Sequence, residues 1–327
     1  MSTEMRALDR IPPWSMAVAA MLLIQFTNAF SVFVIDDVGP AGTALLRMAC
    51  GTVFLWAIAR PSLRTIRSRD VPILILLGVA TGMMTTLFLF AVERIPLGTA
   101  VAIEFLGPLT VAGLTSRNKR TLVWPGLALV GVVLLTEPWM GTIDFLGVAF
   151  ALAAGVCWGL YTVFTQSVGD RFSGISGLSL TIPVATIAIL PIGLPQVIGG
   201  DFSWTVLLIV AGIALITPVA SFGLEMLALR KMNHAAFGTL ISIEPAFGVL
   251  IGLLVLAQSP AVPQIAGIVL VVIAGAAAQR YGHREITVVA ADVEAAGESA
   301  GRDADPAPAR SQERSTGLED YGYPQGD

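Results

Sequence analysis

Residues 95–115 read IPLGTAVAIEFLGPLTVAGLT, an apolar run in which Glu104 is the only charged side chain. A helix of about 20 apolar residues crosses the roughly 30 Å of hydrocarbon in a bilayer. Lipid offers no hydrogen-bond partner to the backbone, so a run of this kind favours a membrane-spanning helix. Outer-membrane strands would alternate between apolar and polar residues instead.

The same apolar character extends along most of the chain. Apolar residues make up 55% of the sequence and charged residues 13%, and the mean hydropathy is +0.79. A soluble domain carries about 25% charged residues, so we predict an all-α integral membrane protein. Ten spans are expected, at about 14–34, 40–59, 71–92, 95–115, 121–137, 143–167, 174–194, 204–229, 234–256 and 261–280.

Positive charge falls in alternate loops. With the N-terminus inside, Arg94 is the only basic residue of the outside loops, and this asymmetry predicts cytoplasmic N- and C-termini. The inside loops hold Arg60, Arg64, Arg67, Arg69, Arg117, Lys119, Arg120, Arg171, Arg230, Lys231, Arg280 and Arg284. The first apolar run is interpreted as an uncleaved helix, because no convincing cleavage signal follows it.

The ends of the chain differ from the spans in composition. Residues 1–13 are predicted to be a cytoplasmic N-terminus. Residues 281–327 are rich in Ala, Glu, Asp, Gly, Pro and Ser, and cannot bury enough apolar surface to offset chain entropy. We therefore predict a disordered cytoplasmic tail.

Two spans share a short internal repeat. Residues 98–104 (GTAVAIE) and 238–244 (GTLISIE) align at their Gly-Thr pairs, isoleucines and glutamates. Aligning Pro108 with Pro245 instead shifts the register by three residues, so the register stays open. Either register pairs the fourth span with the ninth. The chain then divides into halves at 14–137 and 138–280, and five spans per half force opposite orientations in the membrane.

Four segments carry a resemblance to a known family: 96–109 (PLGTAVAIEFLGPL), 157–161 (CWGLY), 224–229 (LEMLAL) and 237–246 (FGTLISIEPA). They resemble the EamA-type branch of the drug/metabolite transporter superfamily, and most closely bacterial threonine/homoserine exporters. The resemblance covers about 14–280. It implies two inverted five-helix repeats around a central cavity, and secondary active export of a small-molecule substrate across the bacterial inner membrane by proton antiport.

Charged residues inside spans are the main candidates for a binding site. Such residues cost about 2.5–3.5 kcal/mol on insertion scales and face an interior or a wet cavity. One cation and three carboxylates suit a zwitterion, with the arginine holding an α-carboxylate and a glutamate an α-ammonium. The four residues are Arg47, Glu104, Glu225 and Glu244.

A glutamate surrounded by like charge or apolar surface takes up a proton more readily than one in water, so Glu225 or Glu104 is favoured for proton coupling. Alternatively, Glu104 and Glu244 bond to hydroxyls or backbone, and Arg47 pairs with one of them. Weaker candidates share helix faces: Gln25 with Asn28, Trp158 with Tyr161, and Thr239 with Ser242. Ser221, one turn before Glu225, is a further weak candidate.

Helix packing leaves its own signals. The pairs Gly78/Gly82, Gly155/Gly159 and Gly248/Gly252 predict close helix approach. Each proline within a span removes a backbone hydrogen bond and predicts a kink, and these are Pro108, Pro183, Pro218 and Pro245. Pro245, directly after Glu244, predicts a bend beside that carboxylate.

Other function classes find little support. Cys50 and Cys157 lie in apolar runs and are interpreted as small buried hydrophobes, and the two histidines lie at or beyond span ends. We predict no enzyme activity, cofactor, metal site or nucleic-acid partner; the expected partners are substrate, protons and the lipid bilayer, with the oligomeric state open. The alternatives are a drug, cation or nucleotide-sugar exporter of the same fold, and a passive channel or structural membrane protein.

Overall fold

The computed structural model describes residues 12–61, 66–68, 70–115, 122–140, 144–169, 175–231 and 234–282. Most of the predicted tail and most of the predicted N-terminus lie outside these ranges, and residues 281 and 282 of the predicted tail belong to the last helix. No strand occurs within the described ranges. The helices are α1 (Pro13–Ala59), α2 (Val71–Val92), α3 (Leu97–Glu104), α4 (Leu106–Thr115), α5 (Val123–Thr136), α6 (Phe145–Gly169), α7 (Ile175–Gly199), α8 (Trp204–Ala214), α9 (Ser221–Lys231), α10 (His234–Ile241), α11 (Glu244–Leu256) and α12 (Val262–Gly282).

Most of these helices are as apolar as the sequence predicts. Within the described residues, six segments are long and apolar enough to cross a membrane: Pro13–Ala59, Val71–Val92, Phe145–Thr165, Ser176–Gly199, Trp204–Glu225 and Thr239–Leu256. Shorter apolar helices lie at Leu97–Val111, Val123–Thr136 and Val262–Ala278. The prediction of an all-α, multi-pass membrane protein is confirmed.

The long helix α1 reverses direction at Gly39. That residue has φ 72° and ψ 167°, a backbone conformation that side chains with a Cβ rarely adopt. Nη1 of Arg47 lies 3.0 Å from Oδ1 of Asn28, although 19 positions separate the two residues. On a straight helix they would be about 28 Å apart. The helix is therefore a hairpin with arms at 13–38 and 40–59.

The side chain of Gln196, on α7, fixes this turn. Its Oε1 accepts hydrogen bonds from the backbone N–H groups of Ala41 at 2.7 Å and Gly42 at 3.0 Å. The first turn of a helix has no backbone partner for such donors, so Gln196 caps the second arm. A Cβ atom on Gly39 would lie 2.5 Å from the same oxygen.

Two predicted spans are broken beside a glutamate. The sequence predicts a fourth span that is only kinked at Pro108, but α3 ends at Glu104 and α4 begins at Leu106. Pro108 has no N–H for the Glu104 carbonyl, and its ring crowds that oxygen. The ninth span ends as α10 at Ile241 and resumes at Glu244, because Pro245 does the same to the Ile241 carbonyl. The predicted bend at Pro245 is thus a full interruption.

The eighth predicted span is interrupted as well. Its backbone leaves the α-helix over Leu215–Ala220, and Thr217 is extended at φ −133° and ψ 118°. Hydroxyl groups support this segment: Thr27 donates to Thr217 at 3.1 Å, and the Thr217 and Ser221 hydroxyls lie 2.8 Å apart. Irregular backbone at membrane depth is tolerated where polar groups bond it or where it lines a cavity.

Small residues bring the helices close together. α1 packs on α7, α2 packs on α6 and α7, α3 crosses α11, and α5 pairs with α12. A Cβ atom on Gly82 would lie 2.8 Å from the carbonyl oxygen of Ala185, and one on Gly248 would lie 3.0 Å from Val101. The prediction of close approach at these glycines is confirmed.

The end of the bundle at which α1 turns, called the Gly39 end, is tied by polar contacts between helix termini. The Asp201 N–H donates to the Asp37 carbonyl at 2.8 Å. Oε1 of Gln258 accepts from the Leu97 N–H at 3.0 Å. In addition, Nε2 of Gln264 lies 3.0 Å from Oε2 of Glu137.

Asp144 and Arg94 form a further tie at this end. The Arg94 guanidinium lies 3.2 Å from the Asp144 carboxylate, whose other oxygen accepts from the Gly147 N–H at 2.9 Å. The Gly147 hydrogen bond, aided by Arg94, holds the pKa of Asp144 below its usual value. Asp144 therefore caps α6 as a carboxylate.

Candidate functional site

A cavity of about 270 Å³ opens inside the bundle. Its volume is close to the lower end of the roughly 300–1,000 Å³ that drug-sized ligands occupy, which suits a small metabolite. Among the described residues, Ser221, Thr239 and Ser242 do not line this cavity, whereas the other eight residues that the sequence singles out for a site do. These eight residues are Gln25, Asn28, Arg47, Glu104, Trp158, Tyr161, Glu225 and Glu244.

The breaks in the helices place the acidic residues. Glu104 is the last residue of α3, Glu244 is the first residue of α11, and Glu225 lies on α9 just after the irregular segment. Glu244 interacts electrostatically with both other glutamates. It also lies at a helix N-terminus, where the helix dipole favours negative charge. The three carboxyl groups therefore form one electrostatic cluster with Glu244 between the others.

The α1 hairpin brings Arg47 to the polar face of its first arm. Nη1 of Arg47 donates to Oδ1 of Asn28 at 3.0 Å. Nδ2 of Asn28 donates to Oε1 of Gln25 at 3.3 Å, and Nε2 of Gln25 donates to Oε1 of Glu244 at 3.0 Å. These four residues are called the amide relay. It connects the cavity's guanidinium to one carboxylate through two neutral side chains.

The relay corrects two alternatives raised by the sequence. Within the described residues, Arg47 forms no direct salt bridge with a glutamate; its side-chain partner is the Asn28 amide. Among the described residues, Glu244 is held by the Gln25 amide rather than by a hydroxyl or backbone group. Gln25 and Asn28 were predicted only to share a helix face, and their role as connectors between Arg47 and Glu244 was not predicted.

Arg47 keeps one hydrogen-bond donor free. Its side chain is 4% exposed, and no partner for its Nε is found within the part of the chain that the structure describes. An unpaired buried donor on a charged group is costly, so native proteins usually satisfy it. A ligand acceptor in the cavity would do so.

The carboxylates of Glu104 and Glu225 differ from that of Glu244. Neither accepts a hydrogen bond from any of the described residues, so the predicted hydroxyl partners of Glu104 are not found there. Tyr161 is close enough to Glu225 to interact with it electrostatically. Trp158 packs edge-on against Phe105, with ring centroids 6.0 Å apart. The aromatic pair of α6 thus lies along the acidic cluster.

The cavity is also lined by threonines that were not predicted from the sequence. They are Thr81, Thr85, Thr162, Thr165 and Thr217. Thr81 and Thr85 are four apart and share a face of α2, a spacing that was available as a signal. Thr217 reaches the cavity only because its span unwinds, which no spacing indicates. No group of three or more His, Cys, Asp or Glu side chains among the described residues is arranged to hold a metal ion.

Comparisons with known proteins identify the family of this chain. The family model described as "EamA-like transporter family" matches residues 145–277. The threonine/homoserine exporter RhtA of Salmonella typhimurium (strain SL1344) is 31% identical over 290 residues, 87% of this chain and 98% of the relative. RhtA of Escherichia coli (strain K12) is 33% identical over 259 residues, 77% and 87% of the two chains.

Two more distant comparisons also cover most of the chain. The pseudopaline exporter CntI of Pseudomonas aeruginosa (strain UCBPP-PA14) is 23% identical over 282 residues, 81% of this chain and 95% of the relative. A solved crystal structure superposes with a TM-score of 0.56 at 16% identity, over 81% of this chain and 95% of that one. At that identity the superposition shows the fold alone.

Proposed function

Because the chain belongs to the EamA-like transporter family of the drug/metabolite transporter superfamily, and is a transporter rather than an enzyme, we propose that it exports small amino acids of the threonine and homoserine type by proton antiport. The observation that carries the proposal is the cavity itself. It encloses a buried guanidinium with a free Nε donor and three carboxylates, two of which have no donor among the described residues.

The charges of the cavity suit an α-amino acid. A substrate carboxylate would accept from Nε of Arg47 and satisfy that donor. The substrate ammonium would lie among the glutamates, and the cavity threonines would contact a side-chain hydroxyl. The relatives named as threonine/homoserine exporters support this cargo.

The clustered carboxylates supply a reason for proton antiport. Three ionised carboxylates in a region of low dielectric repel one another more strongly than one arginine compensates. A proton or a substrate ammonium relieves the same repulsion, so the two compete. Competition within the acidic cluster, with the cavity open to alternate sides, exchanges protons for substrate.

We further propose two inverted five-helix repeats, with both termini on the cytoplasmic side of a bacterial inner membrane. Related contacts support this arrangement. α3 crosses α11 and α5 pairs with α12, which are the fourth with ninth and fifth with tenth spans. α2 packs on α6, and the corresponding segments α8 and α9 pack on α1.

An exporter of cationic drugs is the second candidate, because carboxylates outnumber the one arginine in the cavity. Counterflow in proteoliposomes separates the two. We expect exchange of labelled threonine and homoserine, but not of a cationic dye, and accumulation that collapses with a protonophore. Dye exchange alone would overturn the amino-acid assignment, and protonophore-insensitive flux that Glu225→Gln leaves unchanged would indicate a channel.

A further inference from the structure

The amide relay has a direction that its first member fixes. An arginine side chain only donates hydrogen bonds, so Asn28 must turn Oδ1 towards Arg47. Its Nδ2 is then left to donate to Gln25. Gln25 in turn presents Nε2 to the carboxylate. Every hydrogen bond in the relay therefore points towards Glu244, which receives it as an acceptor.

Because the relay residues are buried, the direction of their hydrogen bonds is energetically important. The exposed fractions are 4% for Arg47, 7% for Asn28, 2% for Gln25 and 7% for Glu244. Water competes little for hydrogen bonds at such positions. Reversing the Asn28 amide would place its Nδ2 donor against the Nη1 donor of Arg47. The carboxylates of Glu104 and Glu225 receive no such donor from the described residues.

We propose that Gln25 and Asn28 are positioning residues that hold Glu244 as the fixed acceptor for the substrate ammonium, and leave proton exchange to Glu104 and Glu225. This inference rests on the proposed function and divides the acidic cluster into two roles. Arg47 and Glu244 then form the two ends of one rigid receptor, which recognises the carboxylate and the ammonium of the same molecule.

Other ionisable groups surround Glu244, and each contributes to its protonation. Glu104 faces it from α3 and Glu225 from α9. Tyr161 on α6 interacts with Glu225, and Cys157 on the same helix with Glu104. The described part of α12 before residue 279 contains no ionisable side chain. A variant that breaks the relay keeps all of these neighbouring groups. Comparing it with wild type at several pH values therefore isolates the effect of the relay on Glu244.

The test is Gln25→Met, which keeps the length of the side chain and removes its amide. Loss of the Gln25 donor leaves Glu244 free to take up a proton, and a neutral carboxyl binds an ammonium weakly. We expect wild type and variant to bind threonine similarly at pH 8, and the variant to lose about tenfold more affinity than wild type by pH 6. Binding is measured in nanodiscs with labelled L-threonine.

Ser31→Ala is the matched control. Ser31 lies on the same arm of α1, is buried, and bonds only the Thr27 carbonyl at 2.8 Å among the described residues. It should follow wild type at every pH. If Gln25→Met weakens binding equally at pH 8 and pH 6, or leaves it unchanged, the positioning role is wrong. If the variant does not fold, Asn28→Leu cuts the relay at its other joint.

A measurement without substrate separates this proposal from the proposed cargo. The infrared band of the protonated Glu244 carboxyl group is assigned by its loss in Glu244→Gln. We expect it to reach half intensity about one pH unit higher in Gln25→Met than in wild type. If wild type binds no threonine but this shift is present, the cargo assignment fails and the relay stands. If the band does not shift, the relay assignment fails.

Discussion

Gly107 packs directly against the backbone carbonyl of Gly155, with no space between them for a Cβ atom. A Cβ on Gly155 would in turn lie 2.8 Å from the carbonyl oxygen of Glu104, the oxygen that Pro108 leaves without its helical partner. Backbone contacts therefore pack the break between α3 and α4 against α6. These contacts fix the position of Glu104 at the cavity wall.

Gly107→Ala is expected to destabilise the protein by about 1–3 kcal/mol or more, because the added methyl meets backbone that cannot rotate away. Gly126→Ala is the control, since nothing lies within 4 Å of a Cβ at that position. It should be neutral or stabilising by up to about 1 kcal/mol through helix propensity. Thermal unfolding in detergent measures both. Equal melting temperatures for the two variants would contradict the close contact.

Arg47→Lys should weaken threonine binding about 10- to 100-fold, because lysine lacks both Nε and the planar fork of donors. Threoninol, which has no carboxylate, should lose much less affinity. Labelled-ligand binding to purified protein gives both values. A uniform loss for the two ligands would mean that Arg47 holds the fold rather than the carboxylate.

Glu104→Gln and Glu225→Gln should separate exchange from coupling. Glutamine resembles a protonated glutamate and cannot release a proton, so we expect threonine counterflow to continue and proton-driven accumulation to be lost. Proteoliposomes with and without an imposed pH gradient measure the two activities. Thr86→Val, on α2 and outside the cavity lining, should keep both. Full accumulation in both glutamine variants would exclude these residues as proton carriers.

Asp144→Ala should lower the melting temperature at neutral pH, because α6 loses its cap and its contact with Arg94. The folded-state pKa of Asp144 is below its ordinary value of 3.8. Its contribution is therefore complete above that value and is lost as pH falls through the lowered folded-state pKa. The difference between wild type and variant should stay constant from neutral pH to about pH 5 and then shrink.

Asp144→Asn provides the control for that titration, because asparagine also caps helices but does not ionise. Its melting temperature should lie between those of wild type and Asp144→Ala at neutral pH. A wild-type advantage over Asp144→Ala that persists unchanged at the lowest pH would show that the carboxylate contributes only by packing.

Charge inside an apolar run was enough to predict four residues that line the cavity. Arg47, Glu104, Glu225 and Glu244 must avoid lipid, and a single bundle offers them one interior. The amide relay could not be predicted from the sequence, because it depends on how closely the two arms of α1 pack against each other. A kink at Pro218 was predicted, but the unwound segment at Thr217 was not, since the hydroxyl that supports it comes from Thr27, 190 positions earlier.

The two prolines were visible in the sequence, but their effect depends on what receives the freed carbonyl. At Pro108 that carbonyl faces a glycine of α6, a contact between residues distant in sequence. A kink at Pro108 was predicted because proline removes a backbone hydrogen bond, but the end of the helix at Glu104 was not. A bend at Pro245 was predicted for the same reason, but a full interruption was not.

The helix α5 has a consequence for the surrounding lipid. Its 14 residues extend about 21 Å, well short of the roughly 30 Å hydrocarbon thickness. Leu129, Val130 and Val133 are about half exposed along it, and Trp139 just beyond it is 55% exposed. Hydrophobic mismatch on this flank favours a thinner bilayer. The acyl-chain length of the host membrane therefore affects how well the bilayer matches the α5 side of the bundle.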